Sequence, residues 1–171
     1  QHTLSTLIIM TKLKNKLVIS LGTNIGSRYA NLVNARNQIE RAFLITEASQ
    51  IVESEAVDYL NQPKFLNQIL VLKNINNLKP LEVLSTCMAI EKLMGRARII
   101  DKGPRVIDID ILFFENTKCN DPNLTLPHPR LFERSFIVKP LSTLNIFNDL
   151  TKLYQFEKNF SNTCLEYSHN E

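Results

Sequence analysis

Apolar and polar residues change their period several times along this chain, and each change marks an element. Residues 17–21, LVISL, form a short apolar run ended by Gly22, Thr23 and Asn24, which predicts a strand running into a turn. From 28 to 43, Leu32, Ala35, Ile39 and Ala42/Phe43 recur at helical spacing. Residues 48–54 carry a fainter strand signal, and 55–64, EAVDYLNQPK, read as a polar loop. Residues 65–74 alternate, with Phe65, Asn67, Ile69 and Val71 on one face and Leu66, Gln68, Leu70 and Leu72 on the other. Pro80 opens a second helix at a position where its missing N–H does no harm. Leu84, Met88 and Glu91 share one predicted stripe of it, so Glu91 either sits at a frayed end before Gly95 or faces a polar site.

The clearest strand is 106–113. Ile107, Ile109, Ile111 and Phe113 are expected on a core-facing side, and Val106, Asp108, Asp110 and Leu112 on the other. The two aspartates then stand roughly 6–7 Å apart, at about 3.3 Å per residue. Ionised carboxylates that close repel each other and lose hydration, and a divalent cation relieves both problems. Oxygen ligands of this kind, completed by water and phosphate, suit Mg²⁺. Just upstream lie Arg96, Arg98, Lys102 and Arg105, with Gly95 and Gly103 as hinges. Cations for phosphate beside carboxylates for metal point to a nucleotide–Mg²⁺ site. The plainer alternative is an edge strand with a solvated polar face and a basic loop next to it.

Beyond the strand, residues 115–116 predict a turn, and 125–134, TLPHPRLFER, lead into a third helical segment through 136–141. After Leu150 the pattern fades, with Tyr154, Phe156, Phe160 and Tyr167 scattered among polar residues. Residues 1–16 hold an apolar run at Leu4 and Leu7 to Met10 with no basic segment before it. They are read as an N-terminal extension, with Met10 a candidate start, and 151–171 as a tail or last helix around a 17–150 domain. GTNIGS at 22–27 lacks the G-K-[ST] ending of a phosphate loop and is read as a strand-to-helix turn.

Composition adds bounds. A chain of 171 residues, 44% hydrophobic and 22% charged, suits one globular domain with a sizeable core, and the order of predicted elements makes it α+β. A net charge of +3 is too small to argue for nucleic acid or an anionic membrane. The three cysteines, Cys87, Cys119 and Cys164, show neither a disulfide framework nor C-x-x-C spacing, so a reducing cytoplasm is expected.

The string G-P-R-x-x-D-I-D-I-L at 103–112 resembles the signature of the 6-hydroxymethyl-7,8-dihydropterin pyrophosphokinases, enzymes of folate biosynthesis. Three more blocks carry the likeness in order: LGTNIGS at 21–27, P-K-F-L-N at 63–67 and LPHPRLFERSFIVKPL at 126–141. Together they run from about 17 to 141. The resemblance implies transfer of the β,γ-diphosphate of ATP to the hydroxymethyl group of the dihydropterin, releasing AMP. It also implies a ferredoxin-like β-α-β-β-α-β fold, an antiparallel sheet with helices on one side, plus an appended hairpin and C-terminal helices. By its pattern Asp108 and Asp110 hold two Mg²⁺ ions, and Arg96 and Arg105 are catalytic. Glu91, Arg98, Ile111, Thr125, His128 and Arg134 fall at ATP-side positions. Ser54, Val57, Phe65, Asn67 and Phe136 fall at pterin-side positions, the two phenylalanines sandwiching the flat ring. The 95–103 loop is expected to close over the triphosphate. It departs from some relatives in Ile99, Ile100, Asp101 and Lys102, while Met88 and Phe132 replace frequent polar residues elsewhere. The resemblance also implies a monomer, no nucleic-acid or membrane partner, and frequent fusion to dihydropteroate synthase.

Two other classes share part of this pattern. RNA-recognition modules share the element order, but two aspartates on the last strand repel phosphate unless a metal is bound. A D-x-D nucleotide-sugar transferase explains the metal pair but not P-H-P-R, the basic loop or Asn67.

Overall fold

A computed structural model describes residues 3–57, 60–95 and 103–169. The elements are α1 (Leu4–Leu13), β1 (Lys16–Thr23), α2 (Arg28–Ile39), β2 (Leu44–Ala48), β3 (Val52–Ser54), β4 (Phe65–Lys73), α3 (Pro80–Leu93), β5 (Asp108–Phe114), β6 (Cys119–Asp121), β7 (Leu124–Leu126), α4 (Ser135–Leu141), α5 (Ile146–Leu150) and β8 (Cys164–Glu166), with a 3₁₀ turn at Leu131–Glu133. This is an α+β fold. Its main sheet runs β5-β1-β4-β3-β8, with β2 also on β4, and every pairing in it is antiparallel.

β1 and β4 are buried on both faces, which is why their sequences read as nearly continuous apolar runs. On the first face Leu17, Ile19 and Leu21 join Leu66, Leu70 and Leu72 against Leu32, Ala35 and Ile39 of α2 and Val83, Cys87 and Ile90 of α3. On the second face Val18, Ile69 and Val71 meet Ile9 and Leu13 of α1, Ile137 and Leu141 of α4, and Leu150 of α5. Helices therefore cover both faces, not one as expected. The second layer comes from the two chain ends, whose periodicity is weak because each contributes only a few apolar positions.

Several expectations need correction. Phe113 belongs to the second face: Val18 pairs with Phe113 but Ile19 with Ile111, so Leu112 is the extra residue of a β-bulge. Leu112 and Phe113 then both enter the second core, and Phe114 returns to the first. The buried stripe of α3 is Val83, Cys87, Ile90 and Glu91, while Met88 is exposed. The faint second strand is two pieces, because at Ser49 the side chain replaces the ladder: Ile69 N donates to Ser49 Oγ at 2.9 Å. Residues 151–171 contain no last helix among the described residues. Tyr154 and Phe156 pack on Phe113, and β8 adds to the edge of β3. The presumed extension is tied in as well, through buried Ile9 and Leu13 and a 2.7 Å bond from Asn15 N to Glu115 Oε2. Among the described residues no helix is long and apolar enough to cross a membrane.

Candidate active site

On the second face three neighbouring strands turn from apolar to polar at the same end. β1 passes from Val18 to Ser20 and Gly22, β4 from Val71 and Ile69 to Asn67, and β5 from Leu112 to Asp110 and Asp108. The register sets Gly22 between Asn67 and Asp108, and Ser20 beside Asp110. A Cβ at Gly22 would stand 3.3 Å from Asn67 Oδ1 and 3.7 Å from the Phe65 ring, so a larger residue there would press on the Asn67 amide. α4 supplies the opposite wall with Phe136 and Ile137.

The resulting pocket gathers all five pterin-side candidates, Ser54, Val57, Phe65, Asn67 and Phe136, with Arg105, Asp108, Asp110 and Arg134. Asn67 is buried, and its amide Nδ2 donates to Ser54 Oγ at 2.9 Å, which fixes which way the amide faces. A second pocket on the other side of β5 is lined by Ile111, Thr125 and His128, with Leu84 and again Asp110. Asp110 is thus the wall common to both. Arg134 was expected on the ATP side, yet it lines the first pocket with its guanidinium 5.7 Å from the centroid of Phe136. Glu91 lies on the wall of neither. It is buried behind β5, where Oε2 accepts from Ile109 N at 3.3 Å and covers the open edge of the strand. Arg96 and Arg98, and the loop closure ascribed to their neighbours, lie outside the described residues.

Arg105 is held on several sides. Its guanidinium donates to Asp108 Oδ2 at 3.0 Å, and Nε donates to Gly103 O at 3.1 Å. Its backbone N donates to Asn24 Oδ1 at 2.9 Å, while Asn24 N donates back to Arg105 O at 3.1 Å. Asn24 Nδ2 donates to Gln62 Oε1 and Pro63 O, both at 2.9 Å. Asn24 therefore joins the first turn, the 62–63 loop and the approach to β5. The sequence reading treated it as a turn residue; its place inside the LGTNIG block was the available signal. Ser20, Gly22, Glu55, Ala56, Gln62 and Ile137 line the pocket without a sequence signal that marks them as site residues.

The electrostatics follow from burial and like charge. Asp110 is pushed up from 3.8 to about 7, first by burial and then by the Asp108 carboxylate, with the Arg134 cation pulling the other way. His128 is pushed down to about 4 by burial and by Arg134. Its Nδ1 accepts from Arg130 N at 3.3 Å, so the neutral ring carries its proton on Nε2 and presents a donor. Cys87 is pushed up to about 12 by burial, Glu91 and Asp110, which makes it an inert core thiol. The carboxylate pair is suited to Mg²⁺: a strained, partly dehydrated Asp110 beside Asp108 gains from a cation between them. Among the described residues no cluster of three or more acidic, histidine or cysteine side chains could hold a metal alone.

Residues 18–146 match the sequence profile of the 7,8-dihydro-6-hydroxymethylpterin-pyrophosphokinase (HPPK) family. The Bacillus subtilis 2-amino-4-hydroxy-6-hydroxymethyldihydropteridine pyrophosphokinase is 37% identical over 134 residues, 77% of this chain and 79% of that protein. The folic acid synthesis protein fol1 of Pneumocystis carinii is 40% identical over 133 residues, but the chain spans only 17% of its length. A solved structure of Plasmodium falciparum HPPK-DHPS with pteroate superposes with a TM-score of 0.57 at 18% identity, covering 81% of this chain and 42% of that one, a likeness of fold alone. With the profile matched from the first strand to the start of α5, this chain belongs to the 7,8-dihydro-6-hydroxymethylpterin-pyrophosphokinase family.

Proposed function

We propose that this chain transfers diphosphate from ATP to the hydroxymethyl group of 6-hydroxymethyl-7,8-dihydropterin, releasing AMP, in folate synthesis. The observation that carries the reading is the position of Asp110, shared by a pocket with flat-ring and amide chemistry and a pocket with apolar walls and a neutral histidine. A group bridging two substrates belongs where one hands a charged fragment to the other.

Phe65 and Phe136 bind the pterin ring by its faces, where offset stacking adds about 0.5–1.5 kcal/mol beyond burial. Asn67, oriented by Ser54, addresses the ring edge with one donor and one acceptor. Ile111, Thr125 and His128 take the adenine side. The hydroxymethyl oxygen attacks the β-phosphorus, the bond from that phosphorus to the oxygen bridging to the α-phosphate breaks, and the hydroxyl proton is lost. Charge growing on phosphate oxygens is met by Arg105 and Arg134, guanidinium groups that chelate phosphate in a plane. Asp108 and Asp110 would hold two Mg²⁺ ions, which neutralise the triphosphate and polarise the hydroxyl when bound. The roles of Arg96 and Arg98 as further phosphate clamps, and of Glu91 as an ATP-side support, follow from the family pattern.

The strand order β5-β1-β4-β3 with α2 and α3 between strands supports a ferredoxin-like assignment. The 17–150 span is taken as the catalytic domain, acting as a monomer in a reducing compartment, which its free cysteines tolerate. Fusion to dihydropteroate synthase is a natural context, given the combined HPPK-DHPS chain it resembles in fold. The test is product analysis: AMP must appear only with pterin and Mg²⁺ present. Release of ADP instead, or AMP independent of pterin, overturns the reading.

A further inference from the structure

The segment after α5 turns back beside the pterin-side pocket, where residues 161–163 line a neighbouring cleft that shares Glu55, Ala56, Val57 and Arg134 with it. β8 extends the edge of β3, Tyr167 N donates to Ile51 O at 2.8 Å, and the His169 ring stacks on Tyr29 of α2 at 3.9 Å and 2°. Within this strap Asn162 reaches the start of α4. Its Oδ1 accepts from Ser135 N at 2.7 Å and from Ser135 Oγ at 2.6 Å, and its Nδ2 donates to Glu133 O at 3.0 Å. Two of these bonds grip the backbone on either side of Arg134, and the third holds the Ser135 hydroxyl.

α4 depends on this grip. It has seven residues, too few to hold itself, and its own cap residue Arg134 makes no side-chain cap bond. Ser135 is fully buried, so its N–H and hydroxyl require partners inside the protein. Arg134 and Phe136 flank Ser135, and both line the pterin-side pocket. Any displacement of Ser135 moves the cation and the ring together. The neighbouring pocket joins Asn162 to Glu55, Ala56 and Val57, so the strap, the pterin-side loop and the Glu133–Arg134 turn before α4 meet at one place.

We infer that Asn162 is a positioning residue that holds Arg134 and Phe136 against the pterin pocket from outside it. The inference rests on the diphosphate-transfer reading above. Removing Asn162 leaves every group that touches substrate in place but unfixes the wall that Phe136 presents and the cation beside Asp110. Pterin binding should suffer most, and kcat should fall as the Arg134 contact with developing phosphate charge loosens. Ground-state ATP binding should change least, because the adenine-side pocket takes nothing from α4.

The test uses the full chain and measures pterin binding directly, KM for each substrate, kcat and melting temperature. Asn162→Ala should raise the pterin KM about tenfold, as expected for lost buried hydrogen bonds, with the ATP KM within about twofold on the same scale. Asn162→Asp keeps both accepted bonds and should recover most of the pterin affinity. Asn74→Ala is the control. Asn74 clips Leu78 at the far end of β4 with bonds of 2.8 and 3.0 Å, so its loss should lower the melting temperature and leave both KM values alone. If the alanine variant fails to fold, Ser135→Ala, which loses only the hydroxyl bond, carries the same comparison. A melting-temperature loss like that of Asn74→Ala with unchanged pterin KM makes Asn162 an ordinary clip and overturns the inference alone. A wild-type chain that binds no pterin overturns the inference together with the proposed function.

Discussion

The two faces of the sheet are built from the same strands and serve opposite ends. The first is apolar at both ends, from Leu17 and Leu72 to Leu21 and Leu66, with two helices over it and one buried amide, Gln68, which donates to Ser49 O at 2.8 Å. The second is apolar only at the end where α1 and α5 pack, and then presents Ser20, Asn67, Asp108 and Asp110. A strand cannot choose its faces independently, because alternation ties each site residue to core neighbours on either side. Ile107, Ile109 and Ile111 anchor β5 in the first core, and so Asp108 and Asp110 have nowhere to go but the second face. Both faces hold a buried core, and the polar end of the second also holds groups that fold poorly on their own. Asp110 shows the cost: its carboxyl is pushed up to about 7 where burial and Asp108 oppose its charge.

The comparison predicts separable losses. Asp108→Ala and Asp110→Ala should each lower Mg²⁺-dependent diphosphate transfer on the order of a thousandfold, at the upper end of losing one preorganised electrostatic contact. Both should keep their circular dichroism and cooperative melting; near-normal turnover in either would remove the carboxylates from the metal site. Leu70→Ala, in the first face, should do the reverse. It should cost about 2–5 kcal/mol of stability by denaturant titration, while the folded fraction keeps its kcat. A Leu70→Ala protein that stays stable but loses activity would end the division of labour between faces.

Asn67→Ala should weaken pterin binding about ten- to hundredfold, from 1–3 kcal/mol of lost hydrogen bonding, and ATP binding much less. Titrations showing equal losses for both ligands would move Asn67 out of the pterin half. A subtler effect appears in chelator-treated protein. The folded carboxyl of Asp110 holds its proton up to about pH 7, whereas the unfolded one releases it near 3.8, so stability should fall as pH rises between those values. Asp110→Asn should flatten that fall and melt higher than wild type at pH 8, with little difference near pH 4. His128 has the opposite sign and the smallest effect. Its folded value of about 4 lies below the ordinary 6.5, so it destabilises as pH drops through that window. The loss should be reduced in His128→Gln, and identical acid profiles for both proteins would show that His128 protonates freely in the fold.

Some of this was legible in one dimension. The strand and helix periods, the faces of β4, the pairing of Asp108 with Asp110 and the polar stretch at 55–64 follow from local alternation and spacing, which the backbone enforces. The pterin-side residues came from the family resemblance, and they do converge on one pocket. What local pattern missed was non-local. Leu112 becomes a bulge because β1 pairs past it, a property of two strands and not of one. For Glu91 the helix period left a frayed end or a polar site open and the resemblance favoured the ATP side, yet it is buried and accepts from Ile109 N at the strand edge.

By itself, then, the sequence determined which residues alternate, which carry charge and which motif they spell. Those are consequences of covalent order and a pleat of period two. The tertiary structure alone decided that α1 and the tail after Leu150 belong to the second core, that Asn24 locks Arg105, and that Asp110 is shared between two pockets. Each of these joins residues from distant parts of the chain, such as Ser54 with Asn67 or Ser135 with Asn162. No local pattern encodes such a meeting, because it forms only when sheet register and burial bring both partners to the same place.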